Sequence, residues 1–297
     1  MEYMLKNDQL SLTVSSAGAE MTSLVQNGTG RQLLWQADPA VWGRHAPMLF
    51  PYTGRIKHGK FTWEGKEYQG GQHGFGRDQE FELAEQTDTL LDLVTRSNAD
   101  TLARFPFDFV LHSIFTLEGS TVTHTIRVEN PGTGRLRFGF GYHPGFICPF
   151  DAQHDTEDYE LRFDAPQTPI VVETQFDGEF AGLVTGRQWP MMEHSAVIPL
   201  TDHTFDHDSI CMSQLTAKTL SLVEKDTGRG VTLDIEGFPY VLIWSAPTPK
   251  LHYVCVEPWH TLPDTFEATG DWGDKPCAAD LAPGESWQTS LPMHFKL

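Results

Sequence analysis

The dominant hydropathy period in this chain is two, and that period confines most of it to β structure. Leu10, Leu12 and Val14 alternate with Ser11 and Thr13. Val122, His124, Ile126 and Val128 alternate with Thr123, Thr125 and Arg127. Side chains two apart on a strand share a face, so each run presents one bulky face and one polar face. Turn residues separate the runs. Phe61 and Trp63 lead through Glu64-Gly65-Lys66 to Tyr68, the spacing of a hairpin. Leu220 and Leu222 lead through Asp226-Thr227-Gly228 and Gly230 to Val231, Leu233 and Ile235, a second hairpin with a longer loop. Leu117-Glu118-Gly119-Ser120 closes one strand and opens the next. Helical windows are scarce, and Asn98 to Phe105 reads as one short helix or a loop. Residues 274–297 read as a last edge strand with Trp287 and Leu291 turned inward. No internal repeat and no linker-like stretch appears. The expectation is an all-β chain, a large, mostly antiparallel β-sandwich forming a single domain over residues 1–297.

Charge narrows the partners. Forty acidic against 21 basic residues give a formal net charge of −19. Such a surface repels phosphate backbones and anionic lipid, so neither nucleic acid nor membrane is an expected partner. The four cysteines, at 148, 211, 255 and 277, show no C-x-x-C spacing. The first residues, MEYMLKNDQLSL, lack the basic and apolar regions of a signal peptide, and no apolar run is long enough to span a bilayer. A cytoplasmic chain with reduced cysteines is expected. Among the 13 histidines, the stretch His203, Asp206, His207, Asp208 offers ligand types but no ligand spacing, and there is no H-E-x-x-H. No metal site is expected. Neither G-x-S-x-G nor G-x-G-x-x-G occurs.

Three places carry reactive side chains where a strand pattern would not want them. The first runs from Ala46-Pro47-Met48-Leu49-Phe50-Pro51 to Gly54-Arg55 and continues at Gln72-His73-Gly74-Phe75-Gly76-Arg77-Asp78. The second is Phe138-Gly139-Phe140-Gly141-Tyr142-His143-Pro144-Gly145-Phe146, and the third Val254-Cys255-Val256-Glu257-Pro258-Trp259-His260. In the second and third, an apolar strand reads as ending in a titratable residue and a proline, which is where a rigid scaffold presents side chains to a ligand.

Taken together, in order and spacing, these strings resemble the aldose 1-epimerase (galactose mutarotase-like) superfamily, and most closely its LacX-like branch. The resemblance implies the supersandwich fold with an open cleft, a small sugar as ligand, and no metal or organic cofactor. It implies Glu257 as general base, His143 as general acid, and His73 as a second histidine at the sugar ring oxygen. Arg55 resembles the arginine that orients substrate hydroxyls. An aspartate with the same task matches Asp206 slightly better than Asp208. The family's usual asparagine before the arginine is Gly54 here, and Gly74-Phe75-Gly76 replaces a pair of glycines.

This reading is chemically coherent. A cyclic aldose changes anomer when its anomeric hydroxyl loses a proton and its ring oxygen gains one, so one acid and one base suffice. Burial and neighbours can bring Glu and His towards neutral pKa values, and an ionised Glu257 facing a protonated His143 is the expected resting state. Trp244, Trp259, Phe75 and Tyr142 are candidate platforms for the apolar face of a sugar, and Trp35 and Trp42 candidate walls. Two other functions compete: a noncatalytic sugar binder on the same scaffold, and a hexose-phosphate epimerase using Arg44, Arg55 and Arg77. A monomer or a homodimer is compatible with the sequence.

Overall fold

The computed structural model describes residues 1–297. Two large sheets dominate it, and every ladder between named strands is antiparallel. One sheet has nine strands in the order Ser195–Pro199, Tyr159–Gln167, Thr219–Glu224, Gly230–Asp234, Ser286–Lys296, Thr121–Glu129, Val110–Glu118, Leu90–Arg96, Glu82–Gln86. The other runs Val184–Pro190, Ile170–Thr174, Ile210–Ser213, Tyr240–Trp244, Tyr253–Trp259, Gly141–Tyr142, Met48–Leu49, with Gly145–Ile147 also paired to Tyr253–Trp259. A four-stranded sheet holds the first 32 residues.

The alternations predict their faces correctly. Leu10, Leu12 and Val14 are buried while Ser11 and Thr13 are partly open. Val122, Ile126 and Val128 enter a cluster of 58 buried residues that also takes Val254, Val256 and Ile243 from the opposite sheet. That shared cluster is the sandwich core. The hairpins form as read. Trp63 pairs with Lys66 across Glu64 and Gly65, both at positive φ, and Val223 pairs with Gly230.

One open alternative is settled and one reading is corrected. Ala99–Arg104 is an α-helix, capped by Asn98, whose side chain accepts from the backbone of Asp100 and Thr101. The C-terminal strand Ser286–Lys296 is not an edge. It lies between Thr121–Glu129 and Gly230–Asp234. Pro292 argues for an edge position, since it donates nothing to a ladder. It stands one residue beyond Met293, the last to pair with Gly230–Asp234, so no ladder bond is lost.

His124 is the one polar member of its buried stripe. Its Nε2 lies 2.8 Å from Ser113 Oγ and its ring stacks on Phe115 at 4.2 Å. Burial lowers its pKa to about 3, and that of His260 to about 4. Both stay neutral in the folded chain at pH values where the unfolded chain charges them. Their contribution is complete above the ordinary value of 6.5 and is lost as pH falls towards 4 and 3. Each proton taken up on unfolding steepens the loss by about 1.4 kcal/mol per pH unit. Melting temperature is expected to fall through this window, and less so in His124→Gln. Equal slopes for the two proteins would refute the assignment to His124.

Candidate functional site

Register brings His143 to Glu257. Gly141 pairs with Trp259 and Gly145 with Cys255, so residue 143 falls opposite residue 257. The bonds from Val256 N to Pro144 O and from His260 N to Phe140 O put the hydrogen-bonded positions at even numbers of the 253–259 strand. The 143/257 position is thus of the non-hydrogen-bonded kind, where facing side chains approach most closely. The two prolines sit at this spot. Pro258 has no N–H for the carbonyl of Tyr142, and the indole Nε1 of Trp259 donates to that carbonyl instead, at 3.2 Å. Glu257 therefore stands inside a strand rather than at its exit, as the sequence pattern suggested.

His143 Nε2 and Glu257 Oε2 are 3.3 Å apart, and both side chains are at least nine-tenths buried. Burial, with a smaller contribution from the charge of Asp208, drives the Glu257 carboxyl well above its ordinary value. Burial drives His143 down to about 3. Both effects oppose the separated charges expected from the sequence and favour the neutral forms of the two groups. The ion pair is the same set of atoms after one proton shift, so either arrangement holds a single transferable proton.

His73 is fixed by the first motif. Its N–H donates to Gly54 O at 2.7 Å, and its Nδ1 accepts from Gly54 N at 3.0 Å. That bond assigns the remaining proton to Nε2, which requires the Gln72 amide 3.2 Å away to turn its oxygen, rather than its nitrogen, towards the ring. Burial first, then the nearby His143 and the charges of Arg77, Arg55 and Arg44, push the His73 imidazole well below its ordinary value. Its ring stands edge-on to both His143 and Trp259. The backbone of His73 is left-handed, at φ 65°, and so is Gly74, whose Cβ would come within 2.2 Å of Phe50 O. Phe50 O accepts from the N–H groups of Phe75 and Gly76, both at 2.8 Å, tying 46–55 to 72–78.

The remaining predicted residues divide. Arg55 is exposed, its stem against Gly182, and its charge reaches His73. Asp208 is half-buried, left-handed at φ 73°, and close enough to act on Glu257. Asp206 is exposed and bonded at 3.0 Å to His203. Trp244 stands edge-on to His143 at 5.7 Å. Phe75 and Tyr142 belong to the sandwich core. Trp42 lies flat on His143 at 5.0 Å and on Tyr253 at 5.3 Å, with Trp35 donating to its carbonyl. Gly145 makes room for it, since a Cβ there would lie 3.0 Å from the Trp42 ring. Cys255 is the residue the sequence reading passed over. Its thiol, the His143 imidazole and the Glu257 carboxylate each place one ligand atom within 4.8 Å of the others. The signal was its place two residues before Glu257, on the same face of a strand.

The aldose 1-epimerase family model matches residues 1–294, and the chain belongs to that family. It is 28% identical to the plasmid-encoded protein LacX of Lactococcus lactis subsp. lactis over 289 residues, 95% of each chain. Among solved structures it is similar to the galactose mutarotase related enzyme of Lactobacillus acidophilus, with a TM-score of 0.93, 29% identity, and 100% and 98% of the two chains covered. A galactose mutarotase-like protein of Lactobacillus casei superposes with a TM-score of 0.89 at 27% identity, covering 99% of both chains. No helix is long and apolar enough to cross a membrane.

Proposed function

We propose that this protein is a mutarotase that interconverts the α and β anomers of a free aldose. The observation that carries the reading is the 3.3 Å contact between His143 and Glu257, which keeps one proton available between an acid and a base. A hemiacetal offers two oxygens on one carbon. With the anomeric hydroxyl at Glu257 and the ring oxygen at His143, the proton of the pair first shifts from Glu257 to His143; Glu257 then takes the hydroxyl proton as His143 delivers its own to the ring oxygen. The C1–O bond of the ring breaks, C1 becomes an aldehyde, and rotation about C1–C2 precedes closure on the other face. Closure runs the transfers backwards. Each group contributes about 10²–10⁴-fold within hydrogen-bond reach. Neutral His73 donates through Nε2 towards the ring oxygen, and Arg55 holds hydroxyls. Trp42 and Trp244 offer apolar faces beside His143.

Optical rotation of freshly dissolved α-glucose or α-galactose tests the activity directly. Faster decay to the same end point is the expected result. Unchanged decay across pentoses, hexoses and a hexose 6-phosphate, with binding still seen by calorimetry, would make the protein a binder. The aspartates are separable in the same assay. The half-buried Asp208 beside Glu257 is the better substrate ligand, so Asp208→Asn is expected to raise KM by about 10–100-fold, the loss of one charged hydrogen bond. Asp206→Asn, at an exposed pair with His203, is expected to leave KM within about twofold. The reverse order would transfer the role to Asp206.

A further inference from the structure

We propose that the foot of this cleft binds one soft divalent cation, Zn²⁺ or Cd²⁺, through His143 Nε2, Glu257 Oε2 and Cys255 Sγ, and that the bound cation shuts out sugar. Nitrogen, carboxylate oxygen and thiol sulfur form a three-ligand set of the kind that holds zinc with a fourth position left to water. Each of the three residues places one donor atom within 4.8 Å of the others: an imidazole nitrogen, a carboxylate oxygen and the thiol sulfur. The nitrogen–oxygen separation is 3.3 Å. Two ligands on a tetrahedral zinc, at the usual bond lengths, stand about 3.3–3.5 Å apart. The pair therefore needs no rearrangement, and only the thiol has to swing inward. Its neighbour across the ladder is Gly145, where a Cβ would sit in contact with Sγ at 3.4 Å, so the glycine leaves that side of the sulfur open.

Charge favours the complex. A thiolate and a carboxylate balance a divalent cation, so the buried cluster ends neutral. The balance is one cation in and two protons out: the thiol proton and the proton held between His143 and Glu257. Both leave to water. His143 Nδ1 is buried without a hydrogen-bond partner, so it lacks the carbonyl or carboxylate that tightens many zinc histidines. Reversible rather than permanent occupancy follows. The other converging set, Asp151, His154 and Glu224, differs because Arg229 already bonds both carboxylates, at 2.7 and 2.6 Å.

Blocking of sugar rests on the mutarotase reading, whereas cation binding does not, and the experiment keeps them apart. Cys277 is the one thiol outside the buried set, so the full chain carrying Cys277→Ser is titrated with cadmium chloride. The expected result is an ultraviolet thiolate-to-cadmium absorption band saturating at one ion per chain. Adding Cys255→Ser, or Cys255→Ala should the serine variant not fold, is expected to abolish the band. By calorimetry it should weaken zinc chloride binding by about 100-fold or more. Zinc chloride is expected to arrest mutarotation in the Cys277→Ser protein and spare it when Cys255 is also replaced. Absence of the band, or its persistence without Cys255, overturns the site. A band in a protein that does not accelerate mutarotation upholds the cation site and removes the proposed activity.

Discussion

Glu257→Gln is expected to lower kcat/KM for mutarotation by about 10²–10⁴-fold, the share of a positioned acid–base group, with the fold intact. Glutamine has the shape of glutamic acid, and burial favours the neutral form of the Glu257 carboxyl. No buried charge is lost and no cavity appears, so the melting temperature should hardly move. What disappears is the ability to accept a proton. The amide can donate to His143 across the 3.3 Å gap, but it cannot take the anomeric hydroxyl proton. His143→Asn should cost a similar factor. The double variant should be little worse than either single one, because groups that pass one proton between them act as a unit. Polarimetry on the three proteins decides the matter. A Glu257→Gln protein that keeps most of its rate would remove Glu257 from the chemistry. Additive losses would separate the two residues into independent roles.

Sequence patterns revealed this fold where a strand has one wet face, and hid it where both faces are covered. Leu10, Leu12 and Val14 announced themselves by alternation, because Ser11 and Thr13 meet water. Tyr253–Trp259 shows no alternation, since every residue in it is buried. Its even members Val254 and Val256 enter the sandwich core, and its odd members face the cleft. Without a period, Pro258 looked like a strand's end, and Glu257 like its last residue. The candidate site was legible in part, as local composition. Histidine and glutamate beside prolines, within apolar runs, are out of place in a simple strand. Their meeting was not legible from spacing, because it depends on the pairing of Gly141 with Trp259 and of Gly145 with Cys255. The choice between Asp206 and Asp208 was equally hidden. It depends on a chain path that brings Asp208 close enough to act on Glu257 and leaves Asp206 at an exposed pair with His203, which no side-chain pattern encodes. Trp42 and Cys255 joined the site only through Gly145, whose missing side chain leaves room for both.

Gly74→Ala is expected to destabilise the protein by about 2–5 kcal/mol and to take most of the activity with it, though residue 74 carries no reacting atom. Two separate penalties combine. The backbone of Gly74 is left-handed at φ 66°, a conformation that disfavours any Cβ by about 1–2 kcal/mol. The added methyl would also sit 2.2 Å from Phe50 O and 2.5 Å from its carbonyl carbon, which are backbone atoms with nowhere to turn. Overpacking of that kind adds about 1–3 kcal/mol. Gly65→Ala isolates the first penalty. Gly65 has φ 76° in the Glu64-Gly65 turn and nothing within 4 Å of its would-be Cβ, so strain alone operates there. Chemical denaturation of both variants is expected to show a loss at residue 74 at least twice that at residue 65. Activity should follow the clash rather than the strain. Phe50 O is the acceptor that ties the His73 segment to the Phe50–Arg55 segment. Displacing it shifts the Gly54 N to His73 Nδ1 bond that assigns the His73 proton. Gly65→Ala should keep its full rate, and Gly74→Ala should lose rate even at temperatures where it remains folded. Equal destabilisation by the two substitutions would show that the Phe50 carbonyl yields to a methyl group, and that this contact does not hold His73 in place.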